Sequence, residues 1–253
     1  MAAQFLRIEA FSAKQVMRIC AEANRDEGFC SHVEVPKPPS WMIGCVEDVK
    51  NAVNEHMNTF TPIRHKSGRV STRRRRADHR CLIGGVTSWP IKNKDFLKQD
   101  LIDRKRFQDW VWASKAWLET RFGENLIAMV AHADEGYLHL HFFVVGDANQ
   151  LHPGLAAEFS EGVRLGSRLE KRVRYVAAMQ NFLDEAHAEV GSKFDLERAL
   201  GGKSMPRIKD RATYLQIRAL REQIEAHAVP ELQSNLSRIA SHDDGLINER
   251  MVF

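Results

Sequence analysis

No part of this 253-residue chain approaches the run of about 18–20 apolar residues that a helix needs to cross a bilayer. Its opening, MAAQFLRIEAFSAKQ, lacks the apolar centre of a secretory signal, so a cytoplasmic protein is expected. Cysteine is scarce. Cys20, Cys30, Cys45 and Cys81 are scattered without CxxC spacing, which suits plain core thiols in a reducing compartment. An HExxH element is also missing, which disfavours the common zinc hydrolases. Internal repeats are absent, and the only biased segment is a run of arginines.

That run carries most of the charge information. The chain has 37 Lys and Arg against 33 Asp and Glu, a net charge of only +4. Residues 64–80, RHKSGRVSTRRRRADHR, hold eight Lys and Arg against one Asp, a local net of +7, so the remainder is about −3. One concentrated basic segment on a near-neutral body points to a polyanion, most simply nucleic acid.

The apolar pattern predicts alternating strands and helices, an α/β chain. QFLRIEAF has strand character, and a helix capped by Ser12 follows. PKPPSW is an extended linker. VEDVKNAVNEHMNTF reads as a helix, and the basic tract with Gly68 reads as a loop. CLIGGVTSW is a short strand, and Pro90 to Asp95 a turn. A long helix then runs to Gly123, with Leu101, Phe107, Val111, Ala113 and Leu118 toward one apolar face. Trp110, Trp112 and Trp117 lie on it, and most of them are expected in the core. NLIAMVAH and YLHLHFFVV form a β-hairpin across ADEG. The C-terminal part reads as helical, dividing the chain into a domain over 1–205 and a helical extension over 206–253.

The hairpin contains the chemistry. Side chains alternate on a strand, so His139 and His141 share one face, and Leu138, Leu140 and Phe142 share the other. His132 ends the preceding strand and is brought beside them. Three imidazoles with open positions suit a divalent metal that works on a substrate. Glu135 is the candidate fourth ligand. Asp134 is expected behind it, accepting a hydrogen bond from a ligating imidazole.

His132, Asp134, Glu135, His139 and His141 form an HxDE…HxH pattern. It resembles the signature of the Mob/Pre (MOBV) plasmid mobilisation relaxases, within the wider His-hydrophobe-His endonucleases. The surrounding FGENLIAMVAHADEGYLHLHFFVV is similar to that family in spacing and character, and weaker similarity extends over residues 1–215. The resemblance implies a central antiparallel sheet flanked by helices, with Mn²⁺ or Mg²⁺ on the histidines. It implies binding of single-stranded origin DNA and nicking by transesterification, in plasmid or mobile-element processing. Other mobilisation or transfer proteins are implied as partners.

One departure matters. The family's first motif is HxxR, with its His proposed as nucleophile; here the matching place reads EANR. Arg25 stands as an expected phosphate contact, but Glu22 occupies the histidine's position. Three readings stay open. Glu22 is the nucleophile; or a tyrosine is, either Tyr175 beside Arg168, Lys171, Arg172 and Arg174, or Tyr137 on the face of His139; or the protein binds DNA without cutting it. The expected DNA contacts are Arg64, Lys66, Arg69, Arg73, Arg74, Arg75, Arg76 and Arg80, with Arg168 and Arg172 in the C-terminal helix.

Overall fold

The computed structural model describes residues 4–64, 67–96, 98, 100–160 and 166–198, together with Gln216. All but the last fall in one compact unit, Met1–Gly202. The expected extension over 206–253 otherwise lies outside the described residues. Among them, no helix is long and apolar enough to cross a membrane.

The strands are β1 (Phe5–Ser12), β2 (Ser40–Ile43), β3 (Thr61–Arg64), β4 (Val70–Arg73), β5 (Arg80–Lys92), β6 (Leu126–His132) and β7 (Tyr137–Val145). The helices are α1 (Ala13–Ala23), α2 (Val46–Asn58), α3 (Asn93–Phe96), α4 (Leu101–Phe122), α5 (Ala148–Leu151), α6 (Pro153–Phe159) and α7 (Arg168–Glu189). Five strands form one antiparallel sheet in the order β1-β5-β7-β6-β2, so the central strand is the one that carries HLH.

Alternation along β7 gives the sheet two apolar faces. Leu138, Leu140, Phe142 and Val144 enter a core with Trp110, Trp117, Leu118 and Phe122 of α4 and Phe182 of α7. Phe143 and Val145 enter a second core with Val16 and Cys20 of α1 and Val49 and Val53 of α2. Local chemistry starts the helices where they are needed. Asp100 accepts from the Asp103 amide at the head of α4, and Ser167 and Glu170 form a capping box on α7.

Several expectations change. On α4, Leu118 is buried and Phe107, Val111 and Ala113 pack against the core as expected, but Leu101 is 81% exposed, and the buried positions also include Trp110, Ser114, Trp117 and Phe122. The indoles claim the sheet contact because they are the largest apolar groups on the helix. As expected, most of the three tryptophans are in the core, and Trp112 is exposed. The basic tract is partly a hairpin, β3 paired with β4, and Gly68 supplies a positive φ of 80° beyond the two residues left undescribed. Strand β5 runs through Pro90 to Lys92. The ladder is irregular between Ser88 and Lys92, so the proline sits where no regular ladder amide is required.

Gly85 pairs with Phe142, whose ring lies across it; a Cβ there would meet Phe142 Cζ at 2.0 Å. Gly85→Ala is therefore expected to destabilise the protein by about 1–3 kcal/mol through overpacking. An unchanged urea midpoint would show that the ring can swing away.

Candidate metal centre

The β6–β7 register sets His132 directly opposite His139, and Val130 opposite His141. All three imidazoles face the α1/α2 side of the sheet, the side taken by Phe143 and Val130. Their ring centroids form a near-equilateral triangle of 5.3, 5.0 and 5.0 Å. One ligand nitrogen from each lies within 4.8 Å of the others.

Backbone carbonyls fix which nitrogen two of the three rings present. The Ala23 carbonyl, at the C-terminal end of α1, lies 2.8 Å from His132 Nε2. A carbonyl can only accept, so Nε2 carries the proton and Nδ1 keeps its lone pair. That Nδ1 is buried without a hydrogen-bond partner. Leaving such an atom unsatisfied costs about 1–3 kcal/mol, and a cation removes the cost. His139 Nδ1 lies 2.9 Å from the Tyr137 carbonyl and donates to it, which leaves Nε2 as the acceptor. Glu135 Oε1 lies 3.5 Å from that Nε2. Burial, with the Arg25 charge, lowers the pKa of His132 to about 4. Burial, then His139 and His132, holds His141 well below the ordinary imidazole range. Lone pairs of His132 and His139 left free by these carbonyls, with His141 and a carboxylate beside them, fit a divalent cation.

The expected partner of the imidazoles is corrected. Carbonyls, not Asp134, orient His132 and His139. Asp134 instead takes two hydrogen bonds from Arg25, Nε at 2.9 Å and Nη2 at 2.7 Å, and a third from the Lys37 amide at 3.1 Å. Burial pushes the Asp134 carboxyl up, but these donors override it and hold it below the usual range. Arg25 is likewise not a free phosphate contact. Its Nη2 also reaches Glu135 Oε1 at 2.8 Å, and Nη1 reaches the Glu22 carbonyl at 3.4 Å, so all three nitrogens are engaged. Its side chain is 4% exposed, and that of Asp134 is 1% exposed. The sequence EANR thus supplies a clamp: Arg25 fixes the 133–136 link, which positions Glu135. Asn93 grips the same link, donating to the Ala133 carbonyl through its side chain and to the Gly136 carbonyl through its amide.

His32 joins the cluster without any sequence signal. Its Nε2 lies 3.4 Å from Glu135 Oε1, and its side chain is 40% exposed at the rim. The Glu135 hydrogen bond raises its pKa, against burial. No spacing rule links residue 32 to 135; only the fold joins them. Burial pushes the Glu135 carboxyl up, and His32, His139 and Arg25 together bring it well below its ordinary value.

The nucleophile candidates separate. Glu22 lies in the last turn of α1 beside this cluster, close enough for its charge to act on His32. Tyr137 is 42% exposed two residues before His139. Tyr175 is not brought to the centre. It packs against the core on the other face of the sheet, with its ring stacked on His152 at 5.9 Å. Arg172 lies over that ring at 5.9 Å, and Arg168 heads the same helix, α7. Of the basic tract, Arg64 ends β3 and Arg73 ends β4, Arg69 lies just before β4, and Arg80 opens β5; Lys66 is outside the described residues.

A central antiparallel sheet with a His-hydrophobe-His pair on its middle strand, facing a third histidine, defines the His-hydrophobe-His class of α/β proteins. Within it, the chain belongs to the Mob_Pre family, described as plasmid recombination enzyme, whose model matches residues 43–213. The fold is similar to crystal structures of the MobM relaxase domain (MOBV; Mob_Pre) in manganese-bound complexes with plasmid pMV158 oriT DNA. In one, at pH 6.8, identity is 14% and the TM-score 0.51, over 85% of this chain and 99% of that one. In another, at pH 5.5, identity and TM-score are the same, over 85% of this chain and 100% of that one. No curated relative matches the chain. The family match begins at residue 43, so Glu22, Arg25 and His32 lie outside it.

Proposed function

We propose that the chain is a metal-dependent relaxase that binds single-stranded origin DNA in the cytoplasm and nicks it by transesterification, using its 1–205 domain. The observation that carries this reading is the lone-pair geometry: carbonyls of Ala23 and Tyr137 turn His132 and His139 inward, beside His141 and Glu135. Membership of the family and a fold shared with manganese-bound relaxases support it. Imidazole donors favour a transition ion over Mg²⁺, which prefers an all-oxygen shell, so Mn²⁺ is the proposed ion. When bound, the ion acts as a Lewis acid on the phosphoryl oxygen.

Tyr137 is the proposed nucleophile, because it alone of the two candidate tyrosines shares the face of the histidines. Its phenolic oxygen bonds to phosphorus while the P–O3′ bond breaks. The phenol's proton ends on the departing 3′ oxygen, and the 5′ phosphate stays esterified to the protein. Reversal rejoins the strand.

A second reading, DNA binding without cleavage, is favoured by Glu22 in the histidine's position and by the full engagement of Arg25. Labelled single-stranded DNA from the native context, incubated with Mn²⁺ and run on a denaturing gel, decides between them. The expected result is a nick and an adduct that survives hydroxylamine and disappears in Tyr137→Phe. An adduct cleaved by hydroxylamine and lost in Glu22→Gln would give the role to Glu22 as an acyl phosphate. Binding with no nick would leave the second reading standing.

A further inference from the structure

The arginine tract does not hang from the fold. Arg75 Nη1 donates to the carbonyls of His56 at 2.8 Å and Thr59 at 2.6 Å. These belong to the C-terminal turn of α2 and its cap, where carbonyls lack helical partners and a cation is favoured. The pinned arginine and its neighbours Arg73, Arg74 and Arg76 line a cleft of about 650 Å³ together with His56, His79 and the turn after β7. His56 and His79 meet on its lining, Nε2 to Nε2 at 3.3 Å, with rings stacked at 5.5 Å and 16°. One lining carboxylate, Asp147, faces four guanidiniums, and it is engaged as the N-cap of α5, accepting from the Asn149 amide. Burial, then the charges of Arg75 and His79, lowers the pKa of His56 against the opposing charge of Asp147, and Arg76 Nε donates to Asp78 at 3.1 Å.

This cleft is separate from the histidine centre. Gly146 on its lining follows β7 directly, five residues past His141, or about 17 Å at the strand rise of ~3.3 Å per residue. His139 and His141 therefore lie in the first half and the middle of β7, and the cleft lies beyond its C-terminal end. A concave wall of adjacent guanidiniums suits successive phosphates, which arginine binds in a bidentate fork. Asn125, Asn149 and Gln150 also line the cleft and add amides of the kind that meet base edges.

We propose that this cleft is a second nucleic-acid site, gripping the phosphodiester backbone of a segment distinct from the one at the metal centre. The proposal rests on the DNA-binding reading above but not on cleavage.

The test uses the full chain, a fluorescein-labelled mixed-sequence single-stranded oligonucleotide and a salt series, read by anisotropy. Arg73→Gln, Arg74→Gln and Arg76→Gln are combined. All three side chains are exposed, and Arg75 is spared because it secures α2. The expected result is weaker binding with a log–log salt slope about 2 units shallower, at roughly 0.7 per lost contact on a single strand. Calorimetric Mn²⁺ binding should be unchanged. A wild-type slope in the variant would overturn the cleft alone; no DNA binding by the wild type would overturn it together with the proposed function. Loss of Mn²⁺ binding in the variant would also overturn it, because the two sites would not be independent. Displacement by poly-glutamate as readily as by unlabelled DNA would assign the cleft to acidic polypeptides instead.

Discussion

Replacing both His139 and His141 by alanine is expected to abolish stoichiometric Mn²⁺ binding in calorimetry. The two side chains supply two of the three inward nitrogens, and His132 alone is left with a single lone pair. Perturbing even an outer partner of a metal ligand typically costs about 10–100-fold in affinity, so removing two ligands takes binding below detection. The fold should survive. β7 is hydrogen-bonded on both sides, to β5 and to β6, and its other face keeps Leu138, Leu140 and Phe142. A cooperative urea transition with lost binding would confirm the centre, whereas retained one-to-one binding would place the ion elsewhere. Glu135→Gln gives a graded control. If Glu135 is a ligand, affinity falls; if it serves only Arg25 and His32, affinity holds and stability changes.

The centre was largely legible because strand alternation is a strong local rule. HLH fixes a shared face for two histidines, and a four-residue link between two apolar runs returns His132 to their side. The same rule separated Leu138, Leu140 and Phe142 into the opposite core. Other features had no local signature. Strand β2 is only SWMI at the sheet edge, too short for a period to appear and next to a proline-rich segment. Strand β5 looked shorter because Pro90 reads as a terminator, whereas an irregular ladder tolerates it. The basic tract read as a loop because its charges mask the short β3–β4 pairing. Arg25 and Asp134 are 109 residues apart, so their ion pair exists only through the fold. Sequence spacing therefore gave Asp134 to the imidazoles, although backbone carbonyls already served them. Tyr175 looked suitable for DNA among four basic neighbours, yet helical spacing cannot say which side of the sheet α7 covers.

Arg25→Met is expected to destabilise the protein by about 3–5 kcal/mol near neutral pH, the usual cost of removing one partner from a buried ion pair. Asp134 is 1% exposed and would keep only the Lys37 amide among its donors. Arg25 also sits at φ 62°, a left-handed conformation that is costly for a non-glycine residue, so its backbone strain is held by these contacts. The pH dependence identifies the cause. In the wild type the Asp134 carboxyl lies below its unfolded value, so its contribution is complete above about pH 4 and is lost as pH falls through the folded pKa. In the variant, burial without the guanidinium pushes that carboxyl above its unfolded value, so ionisation then opposes folding as pH rises. The gap between the two proteins should therefore be widest near neutrality and narrow as pH falls, first through the raised carboxyl pKa of the variant and then, below about 4, through the lowered one of the wild type. Urea midpoints measured across that range are the test. A cost equal at every pH would trace the loss to packing and not to charge. Arg25→Lys should recover only part of the loss, because a single ammonium cannot reproduce the fork that holds both Asp134 oxygens and Glu135 at once.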